Sequence, residues 1–307
     1  MRRSLDALSP SVRYTRACEL SAGRIIGAYS TSFGAATQLL GARHRTHVRN
    51  IYALVRIADE LVDGVTAEVG MAHADQRRAL EGLEAETDRA IESGYSSNPI
   101  VHAFASTARS AGIGQDLTHP FFSSMFTDLT IDGGGGDQHA LSVPPLLFGD
   151  DQHASYVHGS AEVVGLMCLR VFLRHESRTA EEAQLLEYGA RRLGAAFQNV
   201  NFLRDLADDT GRLGRSYLSG QGVVDTSVRD RWLSVIREQL SDGRAALPLL
   251  PRDARVAVAC SVRLFGKLAD RIARTPVDQL YQRRVRVSTA EKSWLVVRTA
   301  IRGGRER

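Results

Sequence analysis

Residues 51–64 read IYALVRIADELVDG. Ile51, Leu54, Val55, Ala58, Leu61 and Val62 recur at the three-and-four spacing of a helix that buries one face. Asp59 and Asp63 fall one turn apart on another face, where like charges repel by roughly 0.2–0.5 kcal/mol. Either that face meets plain solvent, or something positive sits between the two carboxylates. The same helical period runs through QRRALEGLEAETDRAIESG, EEAQLLEYGARRLGAAFQNVNFLRDLADD, VRDRWLSVIREQLSDGRAAL and RVAVACSVRLFGKLADRIART. Strand-like alternation is nearly absent. The pattern predicts one all-α domain over 1–307, with ten or more helices around one core.

The 307 residues are 43% hydrophobic and 24% charged, so the chain can bury a large core. Its net charge of +4 comes with no Lys/Arg block and no aromatic-basic interleaving, which argues against nucleic acid as a partner. Attraction to acidic membrane surfaces or phosphorylated substrates accounts for the excess. Cys18, Cys168 and Cys260 are odd in number and widely spaced, forming neither a metal pattern nor a disulfide framework. A reducing cytoplasm suits them. With no apolar leader and no obvious spanning segment, the expectation is a cytoplasmic protein, soluble or peripheral at the membrane.

One stretch breaks the helical pattern. TIDGGGGDQHALSVPPLLFGDDQHASY, residues 130–156, carries four consecutive glycines and a Pro-Pro pair, which predict a surface loop over about 130–150. It repeats DQHA at 137–140 and 151–154. Asp and His can bind metal, but a flexible loop holds ligands badly, and a local duplication is the simpler reading.

A second acidic segment, QNVNFLRDLADDTGRLGRSYL, spans 198–218. On a continuous helix Asn201, Asp205 and Asp209 form one polar stripe, with Gln198 close by. In the first segment Tyr52, Arg56, Asp59 and Asp63 do the same. Hard divalent ions such as Mg²⁺ are commonly shared between one or two carboxylates and a substrate's phosphate oxygens. Two facing acidic pairs can therefore hold ions that in turn hold a diphosphate, and the metal offsets the repulsion.

With both segments in view, the chain resembles the squalene and phytoene synthases, the bacterial phytoene synthases in particular, from about Tyr29 to Ser288. YSTSFGAATQLL looks like the family's Ser-x-Ser-Phe segment, and IYALVRIADELVD like its first aspartate-rich motif. YVHGSAEVVGLM is similar to the Tyr-rich helix ending in Val-Gly. QNVNFLRDLADD with GRSYL resembles the second aspartate-rich motif, and RRVRVS the basic C-terminal one. The resemblance implies an isoprenoid-synthase-type helical bundle around a central cavity. It implies that Asp59, Asp63, Asn201, Asp205 and Asp209 bind two or three Mg²⁺ ions, with Gln198 beside them. Arg56, Arg204, Arg215 and Arg284 would hold diphosphate oxygens, for which the planar guanidinium is suited. Tyr52, Tyr156 and Tyr217 would line the pocket near the leaving group, Ser30, Ser32 and Phe33 would close it, and Ala161 and Gly165 would leave room for an isoprenoid tail. Ordinary alternatives exist: Arg215 as a surface charge, Tyr217 as a core aromatic, Gly165 as a helix-packing residue.

The implied reaction is ionisation of an allylic prenyl diphosphate and head-to-head condensation of two of them, giving phytoene or dehydrosqualene. Several positions depart from the family's pattern. Tyr29 stands where many members have His, Phe265 where many have Tyr, and Glu162 where Gly is usual. The glycine-rich loop replaces a short Arg-Tyr connection, and one extra residue separates Asp209 from Arg215. If these weaken a second diphosphate site, the same fold would instead pass a prenyl group, such as dimethylallyl, to an aromatic acceptor. A third reading, a non-catalytic assembly factor, sits poorly with four retained motif carboxylates. No Gly-rich dinucleotide fingerprint is present, and NADPH is not expected.

Overall fold

The computed structural model describes residues 8–129, 146–211 and 214–288, together with 290–292, 294, 298 and 299. Its elements run α1 (Pro10–Tyr29), α2 (Thr31–Thr37), α3 (Ala42–Val62), α4 (Val65–Glu68), α5 (His73–Ser93), α6 (Pro99–Ala111) and α7 (Gln115–Leu129). There follow β1 (Leu146–Leu147), α8 (Asp150–Val157), a π-helical turn (His158–Glu162), α9 (Val163–Leu173), α10 (Ala180–Arg204), α11 (Leu206–Gly211) and β2 (Arg215–Ser216). Then come α12 (Thr226–Ala246), a 3₁₀ turn (Leu247–Leu249), α13 (Arg252–Arg274) and α14 (Val277–Leu280). The all-α expectation holds. Among the described residues the single exception is a two-residue parallel pairing, Leu146 opposite Arg215 and Leu147 opposite Ser216, which ties the chain entering α8 to the segment after the second acidic motif.

Local sequence sets the helix ends. Pro10 opens α1 behind Ser9, and Pro99 opens α6 behind Asn98, whose side chain accepts from the Ile100 N–H at 3.1 Å. Thr179 and Glu182 form a reciprocal capping box on α10. Gly94 and Gly112 end α5 and α6 at φ 80° and 66°, a left-handed geometry that costs a glycine nothing.

Among the described residues three apolar clusters form the core: a small one seats α1 on α3 and α6 through Cys18, Ala22, Ala53 and Ile100, and two larger ones flank the site. One joins α3, α5, α6, α7 and α9 through Ile51, Leu54, Leu80, Phe104, Phe122 and Met167. The other joins α10, α12 and α13 through Val200, Leu233, Ile236, Val262 and Leu268. Between them lies the cavity described below. The helical stretch Asp150–Leu173 is long and apolar enough to cross a membrane by length and composition alone, a stretch the sequence reading passed over. Half of its most apolar window is buried in the bundle, where it packs on α7 and α10. Of the glycine-rich segment, 130–145 and the first DQHA lie outside the described residues.

The π-helical turn sits against α7. A Cβ at Gly159 would fall 2.1 Å from the Pro120 carbonyl oxygen and 2.1 Å from Ser124 Oγ, so only glycine lets the two helices meet here. Replacing it forces backbone apart. Gly159→Ala is expected to cost about 2–3 kcal/mol of stability by overpacking, measured by urea denaturation with activity followed in parallel. A change under roughly 0.5 kcal/mol would show that the turn relaxes freely.

Candidate active site

A cavity of about 1020 Å³ opens between the two larger clusters. Its wall takes in α3 and α10–α11, the π-helical turn with α9, the α13 face, and residues 284–288 with Lys292 near the C-terminus. Asp59 and Asp63 from the first acidic segment, and Asp205, Asp208 and Asp209 from the second, all line it. Two segments almost 150 residues apart in sequence thus share one chamber.

Neither acidic segment is a continuous helix. α3 stops at Val62, and Asp63 caps it at φ −126°, its N–H still bonded to the Asp59 carbonyl at 2.8 Å. α10 stops at Arg204, Asp205 caps it at φ −100°, and Asp209 lies on the separate short α11. The single stripe expected for Asn201, Asp205 and Asp209 is therefore bent at its middle. Each break comes at a carboxylate whose side chain is drawn onto a guanidinium: Asp63 to Arg215, and Asp205 to Arg204 and Arg284.

Electrostatics show how tightly the carboxylates crowd. Burial pushes the Asp59 carboxyl up to about 7, with Arg56 opposing and Asp63 and Asp128 adding. Burial, then the charges of Asp205 and Asp63, push Asp209 up to about 8. Asp209 thus senses both acidic segments at once. Asp205 accepts from Arg204 Nε at 2.8 Å and from Arg284 Nε at 2.7 Å. Arg56 pairs with Glu60 and lies 4.4 Å over the Tyr29 ring, so Tyr29 stands at the cavity wall as a cation–π partner.

Gln198 and Asn201 line the same wall. The Asn201 Oδ1 is buried and has no hydrogen-bond partner, an arrangement that costs about 1–3 kcal/mol unless a cation or donor meets it. Among the described residues no three His, Cys, Asp or Glu side chains converge into a ready chelate. An ion here would share its shell with phosphate oxygens and water, as Mg²⁺ usually does.

Tyr52, Tyr156 and Tyr217 all line the cavity. Tyr156 Oη donates to Asp128 Oδ2 at 2.8 Å, and Tyr217 Oη donates to Asp128 Oδ1 at 3.0 Å. Burial and the neighbouring carboxylates hold both phenols well above their ordinary range, so they stay protonated. Arg215, expected on diphosphate oxygens, lies behind the wall instead of on it. It is 3% exposed and donates to Asp63 Oδ1 at 2.6 Å, the Asp128 carbonyl at 2.9 Å and Tyr217 Oη at 3.1 Å.

The far wall is apolar and aromatic. Phe197 stacks on Phe265 at 4.1 Å, with Phe33 at 5.5 Å from Phe265. Ser30 lines the cavity and caps α2, accepting from the Phe33 N–H at 3.0 Å. Ser32 belongs to α2, but its side chain lies outside the described residues. Ala161 and Gly165 line the cavity, and each also lies at a tight helix contact: a Cβ at Gly165 would come 2.6 Å from the Ala190 carbonyl, and one at Gly194 2.5 Å from the Ala161 carbonyl. The smallness of Gly165 is thus required by packing on α10 as well as by open space.

Sequence reasoning missed Asp128, Asp208, Arg286 and Lys292. Asp128 had a readable signal, a lone carboxylate among Phe121, Phe122, Met125 and Leu129 on the buried side of α7. Arg286 and Lys292 line the cavity with Arg204 and Arg284. Burial and those three arginines push the Lys292 ammonium down, the mark of concentrated positive charge. Glu162 pairs with His158 at 3.0 Å. The second DQHA has a structural explanation: His153 is buried, its Nδ1 is 2.8 Å from the Tyr217 carbonyl, and its ring lies 4.4 Å from Trp232.

A sequence profile described as "Squalene/phytoene synthase" matches residues 26–291. A 15-cis-phytoene synthase from Paracoccus sp. (strain N81106 / MBIC 01143) is 28% identical over 296 residues, covering 89% of this chain and 90% of the relative. A 4,4'-diapophytoene synthase from Staphylococcus haemolyticus (strain JCSC1435) is 31% identical over 223 residues, covering 71% and 68%. Among solved structures, a ligand-bound dehydrosqualene synthase superposes with a TM-score of 0.73 at 19% identity, covering 94% of this chain and 98% of that one. A squalene synthase from Alicyclobacillus acidocaldarius gives 0.67 at 17% identity, covering 91% and 99%. These superpositions establish the shared helical fold.

Proposed function

This chain belongs to the squalene/phytoene synthase family and is a prenyltransferase, and from that premise we propose that it joins two allylic prenyl diphosphates head to head in a Mg²⁺-dependent reaction, forming phytoene or dehydrosqualene. One observation carries the reading: both acidic segments and the arginines Arg56, Arg204 and Arg284 line a single cavity whose far wall is apolar and aromatic. At about 1020 Å³ it stands at the top of the range of roughly 300–1,000 Å³ usual for one small-molecule ligand.

The residues fit a hard cation. Asp59, Asp63, Asp205 and Asp209, with the unpartnered Asn201 Oδ1, offer only oxygen donors. Mg²⁺ bound there would supply Lewis-acid stabilisation of negative charge on the departing diphosphate. Arg56, Arg204 and Arg284 add charge-assisted donors for its oxygens. Phe33, Phe197 and Phe265 keep water from the allylic cation and offer ring faces to it.

Two considerations disfavour the aromatic-acceptor reading. The matched relatives carry the names of phytoene and diapophytoene synthases. Arg286 and Lys292 also line the chamber near Arg204 and Arg284, so basic groups extend past the three arginines assigned to the first diphosphate. The test is incubation with MgCl₂ and farnesyl or geranylgeranyl diphosphate alone, following released diphosphate and the hydrocarbon product. A C30 or C40 head-to-head product is expected. Failure to form one, by folded protein that transfers dimethylallyl to an aromatic acceptor, would overturn the proposal.

A further inference from the structure

Asp128 has no part in either acidic motif, yet it is the point on which the polar side of the cavity hangs. It is 2% exposed on α7. Each of its carboxylate oxygens accepts from one cavity-lining phenol, Tyr156 Oη on Oδ2 and Tyr217 Oη on Oδ1. Its Oδ1 also lies 3.3 Å from Arg215 Nη1, the same nitrogen that reaches Asp63 at 2.6 Å. Its backbone carbonyl accepts from Arg215 Nη2 at 2.9 Å.

The directions of these bonds decide what the phenols can do. Each hydroxyl has a single proton, and both protons are committed to Asp128. Neither phenol then has a donor left for a leaving diphosphate. The Tyr217 oxygen is already taken by Arg215 Nη1 at 3.1 Å, so of the two only the Tyr156 oxygen, on a residue lining the cavity, is made more negative by bonding to a carboxylate without a cation already upon it. An electron-rich oxygen beside an apolar chamber stabilises positive charge and cannot act as an acid.

We propose that Asp128 is a positioning residue for carbocation stabilisation, orienting the Tyr156 hydroxyl so that its oxygen faces the allylic cation. The proposal rests on the reading of the chain as an enzyme that ionises prenyl diphosphates, and not on which acceptor follows.

The experiment separates binding of the cation from binding of the diphosphate. Asp128→Asn keeps the side chain's size but offers one oxygen acceptor, and its NH₂ obliges one phenol to accept. At pH 8 the variant is expected to lose about 30–100-fold in kcat while KM for the prenyl diphosphate stays within about threefold. The dissociation constant of a farnesyl-dimethylammonium ion, measured in the presence of inorganic diphosphate and MgCl₂, is expected to rise at least about tenfold. Inorganic diphosphate with MgCl₂ should bind as it does to the wild type. Tyr156→Phe should show the same loss of ammonium affinity, and adding Asp128→Asn to it should cost little more, because the two act as one unit.

Unchanged ammonium affinity in Asp128→Asn would overturn the proposal, as would equal loss of ammonium and diphosphate affinity. If that variant does not fold, Tyr156→Phe decides the matter: undiminished ammonium binding overturns it. A wild-type protein that forms no head-to-head product, yet binds the ammonium ion in an Asp128-dependent way, would refute the proposed function and leave this role standing.

Discussion

Asp59→Asn is expected to lower turnover by about 10²–10³-fold or more, while the protein becomes more stable at neutral pH. Both effects come from one cause. The Asp59 carboxyl is pushed up to about 7 and that of Asp209 up to about 8, against an ordinary value of 3.8, because burial and neighbouring carboxylates disfavour their charge. A raised carboxylate pKa means the folded chain binds more protons than the unfolded one between about pH 4 and 8. The penalty is absent below about pH 4, grows as the pH rises, and is complete above about pH 8. Removing one charge should therefore raise stability by about 1–2 kcal/mol at pH 8, after discounting for solvent in the cavity, and by nothing near pH 4. Urea titrations at the two pH values and a diphosphate-release assay check this. Activity within tenfold of the wild type, with EDTA also harmless, would remove Asp59 and the cation from the mechanism.

Arg215→Met should destabilise the fold by about 3–5 kcal/mol, the cost of leaving a buried carboxylate without its partner. Arg215 is 3% exposed and reaches Asp63, Asp128 and Tyr217 together. The loss should shrink in Arg215→Met combined with Asp128→Asn, since the second change removes the stranded charge. Denaturant midpoints of the single and double variants decide it. A single variant within about 1 kcal/mol of the wild type would place Arg215 back among exposed cations.

The outcome at Arg215 shows where sequence reading stops. GRSYL carries Arg and Tyr near the second acidic motif, and residue type alone suits both a diphosphate clamp and a buried ion pair. The choice was made by Asp128, 87 positions earlier, whose carbonyl accepts from the same guanidinium. Asp128 itself looked like one polar residue on a phenylalanine-rich helix. Lys292 and Arg286 were equally silent, because basic residues near a C-terminus are common and only the fold brings them to Arg204.

By itself the sequence determined the helical class, since helical period is a local property that survives without coordinates, and the resemblance of its motifs pointed to the family and to the two acidic segments as partners. The sequence also set the helix ends at Ser9, Asn98, Thr179 and Gly112, where caps act within three or four residues. The tertiary structure alone decided that both acidic runs break at a carboxylate, that Gly159 and Gly165 sit at backbone carbonyls of other helices, and that Arg215 turns inward to Asp63 and Asp128. Each of these depends on a neighbour far away in the chain, and burial magnifies the contact, because a charge or a methyl group removed from water has no alternative partner.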